Sequence, residues 1–157
     1  MFRNNKNILQ NNLNYNDLKN KLLLHNLKAT QQRIVIYEAV LRLENHPTTE
    51  EIYALIRPDN PSVSLGTVYK NLEKFVEAKL IKKVACEDGK MRFDGNIDKH
   101  NHFYCTNTHE IIDFQSEDLH KLIGDFLKQK KINNFEIEDF HLQINGKKVD
   151  AKKEIVF

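Results

Sequence analysis

The segment DKHNHFYCTNTHEIIDF, residues 98 to 114, is rich in side chains that can bind a metal ion. His100 and His102 are two residues apart on a predicted strand, so their side chains project from the same face, as two ligands of one ion require. Asp113 lies on the next predicted strand. Because imidazole and carboxylate donors suit a divalent first-row metal, the pattern favours a metal site.

Two further candidate ligands lie at predicted joints that precede this segment. His46 closes a predicted helix, and Asp94 closes a predicted hairpin. Each also has an ordinary explanation, since an isolated His-x-His pair is commonly a surface feature and both joint residues could simply belong to turns. The residue types leave the two interpretations open.

The elements that must position these residues are predicted from the spacing of apolar side chains. One helix begins near Asn16, and a second is opened by Thr30. A third begins at the capping-box pair Thr48 and Glu51, and a fourth is capped by Ser64. The runs LIKKVAC and KMRFD follow, joined by EDGK, and predict a hairpin. Helices followed by a hairpin are typical of a winged helix-turn-helix.

The pattern changes after the hairpin. HFYC and EIIDF predict strands around the turn TNTH, and Ser116 caps a helix with one apolar face. NNFEIEDFHLQING, residues 133 to 146, predicts a further strand with a bulge near Glu138 or Asp139. A unit this small is expected to pack against a second copy, so we predict a homodimer.

The predicted fold class is α+β, with an N-terminal winged helix-turn-helix and a small C-terminal α/β dimerisation domain. The predicted parts are a mobile Asn-rich arm over residues 1–15, a DNA-binding domain over 16–95, a hinge over 96–98, and a dimerisation and metal-sensing domain over 99–157.

Bulk composition is that of a soluble globular protein, with 40% hydrophobic and 29% charged residues and no apolar run that could span a membrane. We therefore expect the protein to be cytoplasmic. The two cysteines, Cys86 and Cys105, are too few for a disulfide framework. Net charge is +4 over residues 1–97 (15 basic, 11 acidic) and −2 over residues 98–157 (9 basic, 11 acidic). The basic first part suits nucleic-acid binding.

Several motifs in register resemble the ferric uptake regulator superfamily of metal-dependent bacterial repressors over residues 16 to 146. They are KATQQR, HPTTEEIY, PSVSLGTVYKNLEKFVEAKLI, MRFD, HNHFYC and EIIDF. The resemblance implies a regulatory metal site formed by His46, Asp94, His100, His102 and Asp113. Aspartate at the positions of Asp94 and Asp113 resembles the peroxide-sensing branch of the family.

In that branch the bound metal directs oxygen onto a ligand histidine, which the resemblance places at His46 or His100. The implied metal is Fe²⁺ or Mn²⁺, with Zn²⁺ possible in vitro, and we expect one such ion per subunit. The family's four-cysteine zinc site cannot form, because Thr108 replaces the cysteine three residues after Cys105 and the tail has none. Cys105, His109 and His120 could make a substitute site, although an inert thiol and solvated histidines fit better.

DNA recognition is expected from the start of the fourth helix, on a palindromic double-stranded operator. The candidate contacts are Ser64, Thr67, Tyr69, Lys70 and Asn71 on that helix, with Lys28, Arg33, Lys82, Lys83, Lys90 and Arg92 toward phosphates. The resemblance gives Tyr69 the role of contacting bases.

The leading hypothesis is therefore a dimeric, metal-dependent repressor that responds to peroxide, and not an enzyme. A sensor of iron or manganese supply is the alternative within the family. A hydrolytic metal site and a winged-helix protein without metal control remain as further alternatives. Cysteine oxidation is a rival sensor chemistry, but the sequence gives neither cysteine an obvious pKa-lowering neighbour beyond Lys82 and Lys83.

Overall fold

The computed structural model describes residues 14–43, 45–86, 88–130 and 133–149. Within these residues the chain forms two compact units, which divide between residues 98 and 99. The arm predicted over residues 1–15 lies outside the described residues except for Asn14 and Tyr15, which form the cap and the first residue of a helix. The end of the tail, from residue 150, also lies outside them.

Four helices make up most of the first unit. Three of their predicted caps are confirmed: the side chains of Thr30, Thr48 and Ser64 each accept a hydrogen bond from a backbone N–H group of the first turn. Thr48 and Glu51 form the reciprocal capping box that the sequence predicts. The helices are α1 (Tyr15–Leu24), α2 (Gln31–Arg42), α3 (Thr49–Ile56) and α4 (Leu65–Glu77).

The apolar faces of these helices meet in one core. Leu22, Ile34, Ile52 and Phe75 come from the four helices in turn, and each is almost fully buried. Tyr37 packs edge-on against Phe75, with ring centroids 6.0 Å apart. Because each such side chain contributes about 1.5–3 kcal/mol when buried, this core holds α4 firmly on the other helices.

A two-stranded antiparallel hairpin completes the first unit, as predicted. It consists of β1 (Lys82–Ala85) and β2 (Met91–Asp94). Gly89, in the connection, has φ +74°, a left-handed conformation that glycine adopts without a side-chain penalty. The order of helices followed by a hairpin confirms the winged-helix part of the predicted α+β fold class.

The second unit contains a three-stranded sheet and one helix. The sheet has the order β4-β3-β5, in which β3 pairs antiparallel with β4 and parallel with β5. Ser116 caps the helix as predicted. The elements are β3 (Asn101–Cys105), β4 (Ile111–Phe114), α5 (Glu117–Lys128) and β5 (Gln143–Gly146).

The strand predicted over residues 133–146 is wrong for most of its length. Only Gln143–Gly146 pairs with β3, and residues 133–142 form no strand. The bulge predicted near Glu138 or Asp139 is therefore not formed. Phe135 is 64% exposed in the single chain, so the alternating pattern in this segment does not mark a face that is buried within the chain itself. Alternation predicts an extended chain, but it cannot show how much of a neighbouring strand is available for pairing.

No helix within the described ranges is both long enough and apolar enough to cross a bilayer.

Helix α5 has a strongly amphipathic sequence, yet none of its residues is buried. Its apolar residues Leu122 and Phe126 are 68% and 55% exposed.

Candidate metal centre and DNA-binding surface

Three predicted ligands come together in the second unit. The Nε2 atoms of His100 and His102 are 2.9 Å apart, and their rings are nearly perpendicular. The Oδ1 atom of Asp113 lies 3.6 Å from the first of these nitrogens and 3.5 Å from the second. One ligand atom from each residue therefore lies within 4.8 Å of the others, as ligands around one ion must.

Strand pairing explains this convergence. His102 stands directly opposite Asp113 in the antiparallel register of β3 and β4, so their side chains lie side by side on one face of the sheet. His100 precedes β3 by one residue and reaches the same face because it is two positions from His102. The neighbouring Asn101 points elsewhere, since its side-chain oxygen accepts a hydrogen bond from the backbone of Leu142.

The other two predicted ligands are neighbours in the first unit. His46 Nε2 and Asp94 Oδ2 are 3.7 Å apart, and both side chains are buried. The backbone oxygen of Pro47 accepts from the N–H of Phe93, and Thr48 forms a bridge with Arg92, so the chain before α3 runs antiparallel to β2. This pairing brings the residue before Pro47 opposite the end of β2.

Both members of this pair have constrained geometry. His46 has φ +53°, a left-handed conformation that is uncommon for residues other than glycine. The second oxygen of Asp94, Oδ1, accepts a 2.7 Å hydrogen bond from the backbone of Asn96. The carboxylate is thereby oriented with Oδ2 toward the imidazole.

The donor chemistry of both clusters fits a divalent first-row metal. All five side chains offer imidazole nitrogen or carboxylate oxygen, which are the donors that Fe²⁺, Mn²⁺ and Zn²⁺ share. Thiolate, which would select softer ions, is absent from both clusters among the described residues. The residues present are therefore chemically competent to hold such an ion.

The cysteines provide no comparable site. The chain has two cysteines, so a four-cysteine zinc site is impossible. Cys105 Sγ lies 2.9 Å from Asn107 Oδ1, His109 Nδ1 is 2.8 Å from the hydroxyl of Tyr104, and His120 stacks on Phe140. Within the described part of the chain, Cys105, His109 and His120 do not form a cluster of metal-ligand geometry.

The pKa values of the two thiols are shifted in opposite directions, which the sequence did not indicate. A hydrogen bond from the side chain of Thr108, helped by nearby backbone N–H groups, holds the pKa of Cys105 below its usual value. Burial raises the pKa of Cys86. Arg92 acts against burial at Cys86 and lowers the pKa of its thiol, although the net shift is upward. The expectation that only Lys82 and Lys83 could lower a cysteine pKa is therefore wrong for both thiols. The groups that act on Cys105 lie in a turn whose conformation the sequence does not specify.

The predicted DNA contacts on α4 lie in its first two turns. Ser64 and Thr67 are joined by hydrogen bonds that cap the helix, with Oγ and Oγ1 2.9 Å apart. Lys70 is exposed. Tyr69 is 43% exposed, and its hydroxyl donates a 2.7 Å hydrogen bond to Glu50 Oε1 on α3. The sequence did not indicate this last contact, which joins two exposed side chains from different helices.

Arg33 links three of the predicted contacts. Its Nε donates to Asn71 Oδ1 over 3.1 Å, and its Nη1 donates to the backbone oxygen of Lys28 over 3.0 Å. Asn71 in turn donates to the backbone oxygen of Thr67. The guanidinium therefore fixes the start of α2 against α4.

The basic residues of the hairpin have different environments. Lys82 Nζ donates to the backbone oxygen of Asp98, Lys83 forms a 2.7 Å ion pair with Glu73, and Lys90 is exposed. Arg92 is buried and pairs with Asp88 over 3.0 Å. A buried guanidinium that is already paired is poorly placed for a phosphate, so the position of Arg92 indicates a structural role within the hairpin.

Both the sequence and the fold of this chain are similar to those of known proteins. The model of the ferric uptake regulator family matches residues 25–145. The peroxide-responsive repressor PerR of Staphylococcus aureus (strain Mu50 / ATCC 700699) is 32% identical over 120 residues, which cover 76% of this chain and 79% of that protein.

Two solved structures are similar to this chain over most of its length. The ferric uptake regulator from Pseudomonas aeruginosa with manganese has a TM-score of 0.67 and 26% identity, and covers 83% of this chain and 96% of its own. The Campylobacter jejuni peroxide stress regulator has a TM-score of 0.62 and 27% identity, with 87% and 96% covered. Because the family model matches most of the sequence and a curated relative exceeds 30% identity over most of both chains, this chain belongs to the ferric uptake regulator family.

Proposed function

We propose that this protein is a dimeric, metal-dependent repressor that binds a palindromic DNA operator and releases it in response to peroxide. The observation that carries the proposal is the cluster of His100, His102 and Asp113, whose donor atoms lie within 4.8 Å of one another. Similarity to the peroxide-responsive repressor of S. aureus and the peroxide stress regulator of C. jejuni favours peroxide as the signal.

The proposed metal is Fe²⁺ or Mn²⁺, held by all five predicted ligands, with Zn²⁺ able to bind in vitro. Five nitrogen and oxygen donors exceed the four that zinc usually takes, whereas iron and manganese accept larger numbers. The solved relative from P. aeruginosa is described as holding manganese. The ligands would be His46 and Asp94 from the first unit, with His100, His102 and Asp113 from the second.

Metal control follows from this division of the ligands. Since the two sets belong to separate units of the chain, a single ion bound by both would restrict how the units move about residues 96–98. Shifting such an equilibrium from 1:99 to 99:1 requires a difference in binding free energy of about 5.5 kcal/mol, which is within reach of a site with several ligands. Metal binding would thereby select the conformer that fits the operator.

The proposed peroxide response uses His46 and His100. When bound, iron(II) supplies the electrons that convert peroxide into a short-lived oxidant. Both imidazoles are buried, so they are shielded from oxidants in bulk solvent and exposed chiefly to one generated next to them. Addition of oxygen to either ring would remove a ligand, weaken the link between the two units and release the DNA.

The DNA-binding part of the proposal rests on the first unit. The proposed contacts are Ser64, Thr67, Tyr69, Lys70 and Asn71 on α4, with phosphate contacts from Lys28, Arg33, Lys82, Lys83 and Lys90. The core described above supports α4, and the capping hydrogen bonds order its first turn. A dimer would present two copies of α4 to the two halves of a palindrome.

The proposed dimer forms through the second unit. The exposed apolar side chains of Leu122 and Phe126 on α5 provide a surface that a second copy would cover. Apolar packing of this kind would hold the subunits together without a cysteine zinc site.

The test of peroxide sensing needs no knowledge of the operator. Purified protein is loaded with iron(II) under anaerobic conditions, treated with stoichiometric peroxide, and digested for peptide mass spectrometry, with manganese-loaded protein as the control. Oxygen on His46 or His100 in the iron sample alone is expected. Unmodified histidines despite bound iron would contradict peroxide sensing and support a sensor of metal supply.

A second assay separates regulation from hydrolysis. Metal-dependent binding to a palindromic duplex, without turnover of ester substrates, is expected for a repressor. Ester hydrolysis that requires the metal and is lost when Asp113 is replaced would support the metalloenzyme alternative instead.

A further inference from the structure

A hydrogen bond between two exposed side chains lies at the start of α4. Tyr69 is the fifth residue of that helix, and its hydroxyl donates to Oε1 of Glu50, the second residue of α3, over 2.7 Å. A hydroxyl that donates to a carboxylate at this distance forms a charge-assisted bond, which is stronger than one between neutral groups. The orientation of the phenol group is therefore set by a residue on another helix.

The charge states of the two side chains reinforce this contact. The hydrogen bond from Tyr69 is the main cause that lowers the pKa of Glu50, and the same bond raises the pKa of Tyr69. At neutral pH the carboxylate is therefore ionised and the phenol keeps its proton. That single proton points toward Glu50.

Because the hydroxyl proton of Tyr69 is used in the hydrogen bond to Glu50, the hydroxyl cannot donate it to a base. A phenol group has one donor, and with that donor directed to Glu50 only its lone pairs and ring remain for DNA. In the major groove adenine N6 and cytosine N4 are donors, whereas guanine O6 and N7, adenine N7 and thymine O4 are acceptors. A phenol oxygen that can only accept favours the first group and disfavours the second.

We propose that Glu50 is a specificity-determining residue that positions Tyr69 as a hydrogen-bond acceptor toward a base of the operator. This inference rests on the proposed function, because it requires that α4 reads DNA. It adds a residue on α3 to the set that determines base preference. Without Glu50 the hydroxyl rotates freely and donates to guanine or thymine as well.

The test is a selection of duplexes from a random pool by the manganese-loaded, full-length protein, followed by sequencing. The variants are Glu50→Ala, Glu50→Gln, Tyr69→Phe, and Glu50→Ala combined with Tyr69→Phe. Glu73→Gln is the matched control, because it also removes one acidic charge from the first unit, but from a residue that pairs with Lys83. Circular dichroism checks that each variant folds.

The expected result is a change confined to one base position of each half-site. Glu50→Ala should lower the preference for adenine or cytosine over guanine or thymine at that position by about tenfold or more, the discrimination typical of a lost base contact. Glu50→Gln should keep the preference, because an amide oxygen also accepts from the phenol. Glu73→Gln should alter affinity equally for all sequences, since its partner Lys83 is proposed to contact a phosphate and not a base.

The combined variant distinguishes positioning from a direct effect of Glu50. If Glu50 acts through the hydroxyl, adding Glu50→Ala to Tyr69→Phe changes the selected sequences no further. An unchanged preference in Glu50→Ala, an equal change in the Tyr69→Phe background, or a loss in Glu50→Gln as large as in Glu50→Ala would each overturn the inference. Failure of the native protein to enrich any duplex would instead contradict the proposed function.

Discussion

Replacing Asp113 by alanine should remove most of the stability that manganese gives to this protein while leaving the metal-free protein nearly unchanged. The carboxylate lies 3.5 Å from His102 and 3.6 Å from His100, and the side chain is 39% exposed. Exposed ion pairs are worth at most about 1 kcal/mol, so the metal-free variant should melt close to the native protein. The large loss of thermal stability should appear only when manganese is present.

The size of that effect follows from binding linkage. At a manganese concentration about 1,000 times the native Kd, binding stabilises the fold by about 4.1 kcal/mol. Removing a residue that only hydrogen-bonds to a metal ligand lowers the affinity for the metal by up to about 100-fold. Removing a ligand itself should lower that affinity by at least as much. The variant would then keep at most about 1.4 kcal/mol of the stabilisation. For a chain of this size, the shift in Tm on adding metal should fall from about 8–16 °C to about 3–6 °C.

The assay is thermal unfolding with and without manganese, with Kd values from calorimetric titration. Asp139→Ala is the matched control, because Asp139 is also an aspartate of the second unit, is 37% exposed, and pairs with Lys99 over 3.0 Å. The control should keep the full shift. A full manganese shift in Asp113→Ala, or an equal loss in Asp139→Ala, would show that the proposed ligand set is wrong.

Four further predictions concern the fold and the assembly. Thr48→Ala removes the capping box and should cost about 1 kcal/mol of unfolding free energy, measured by urea denaturation. Gly95→Ala should cost about 1 kcal/mol in the same assay, because the added Cβ would lie 2.6 Å from Leu41 Cδ2, the end of a side chain that must shift to admit it. Gly66→Ala should instead stabilise by up to about 0.5 kcal/mol, because Gly66 lies in the first turn of α4 and the nearest atom to its added Cβ is 3.9 Å away. Equal effects of the two glycine changes would contradict this account. Leu122→Glu should shift sedimentation velocity from dimer to monomer without loss of helical signal, because this side chain is exposed in the single chain; an unchanged dimer would place the interface elsewhere.

Local signals in the sequence were sufficient for much of the fold. The caps at Thr30, Thr48, Ser64 and Ser116 each depend on one side chain and the backbone within three residues of it, so they could be recognised before any tertiary contact was known. The hairpin of β1 and β2 also depends on a short connection. These elements, with the strand pair β3 and β4, account for the predicted α+β class.

Features that depend on distant parts of the chain could not be predicted in the same way. The extent of β5 depends on how much of β3 is open to a second partner, which no alternation of residues reveals. The contact between Glu50 and Tyr69 joins two solvated side chains 19 positions apart, and neither has an apolar pattern that marks it. The convergence of His102 and Asp113 was predictable in outline, because both lie on adjacent strands, but the exact register was not.

The central strand of the second unit has partners at very different distances along the chain, and this difference has a consequence for the order of folding. β4 begins a few residues after β3 ends, whereas the side chain of Asn101 meets the backbone of Leu142 from 41 positions away. Short loops close faster than long ones, so β3 and β4 should pair before β5 arrives. His102 and Asp113 lie on that early hairpin, and His100 directly precedes it. We therefore expect an ion present during synthesis to encounter three of its proposed ligands while the rest of the second unit is still being made.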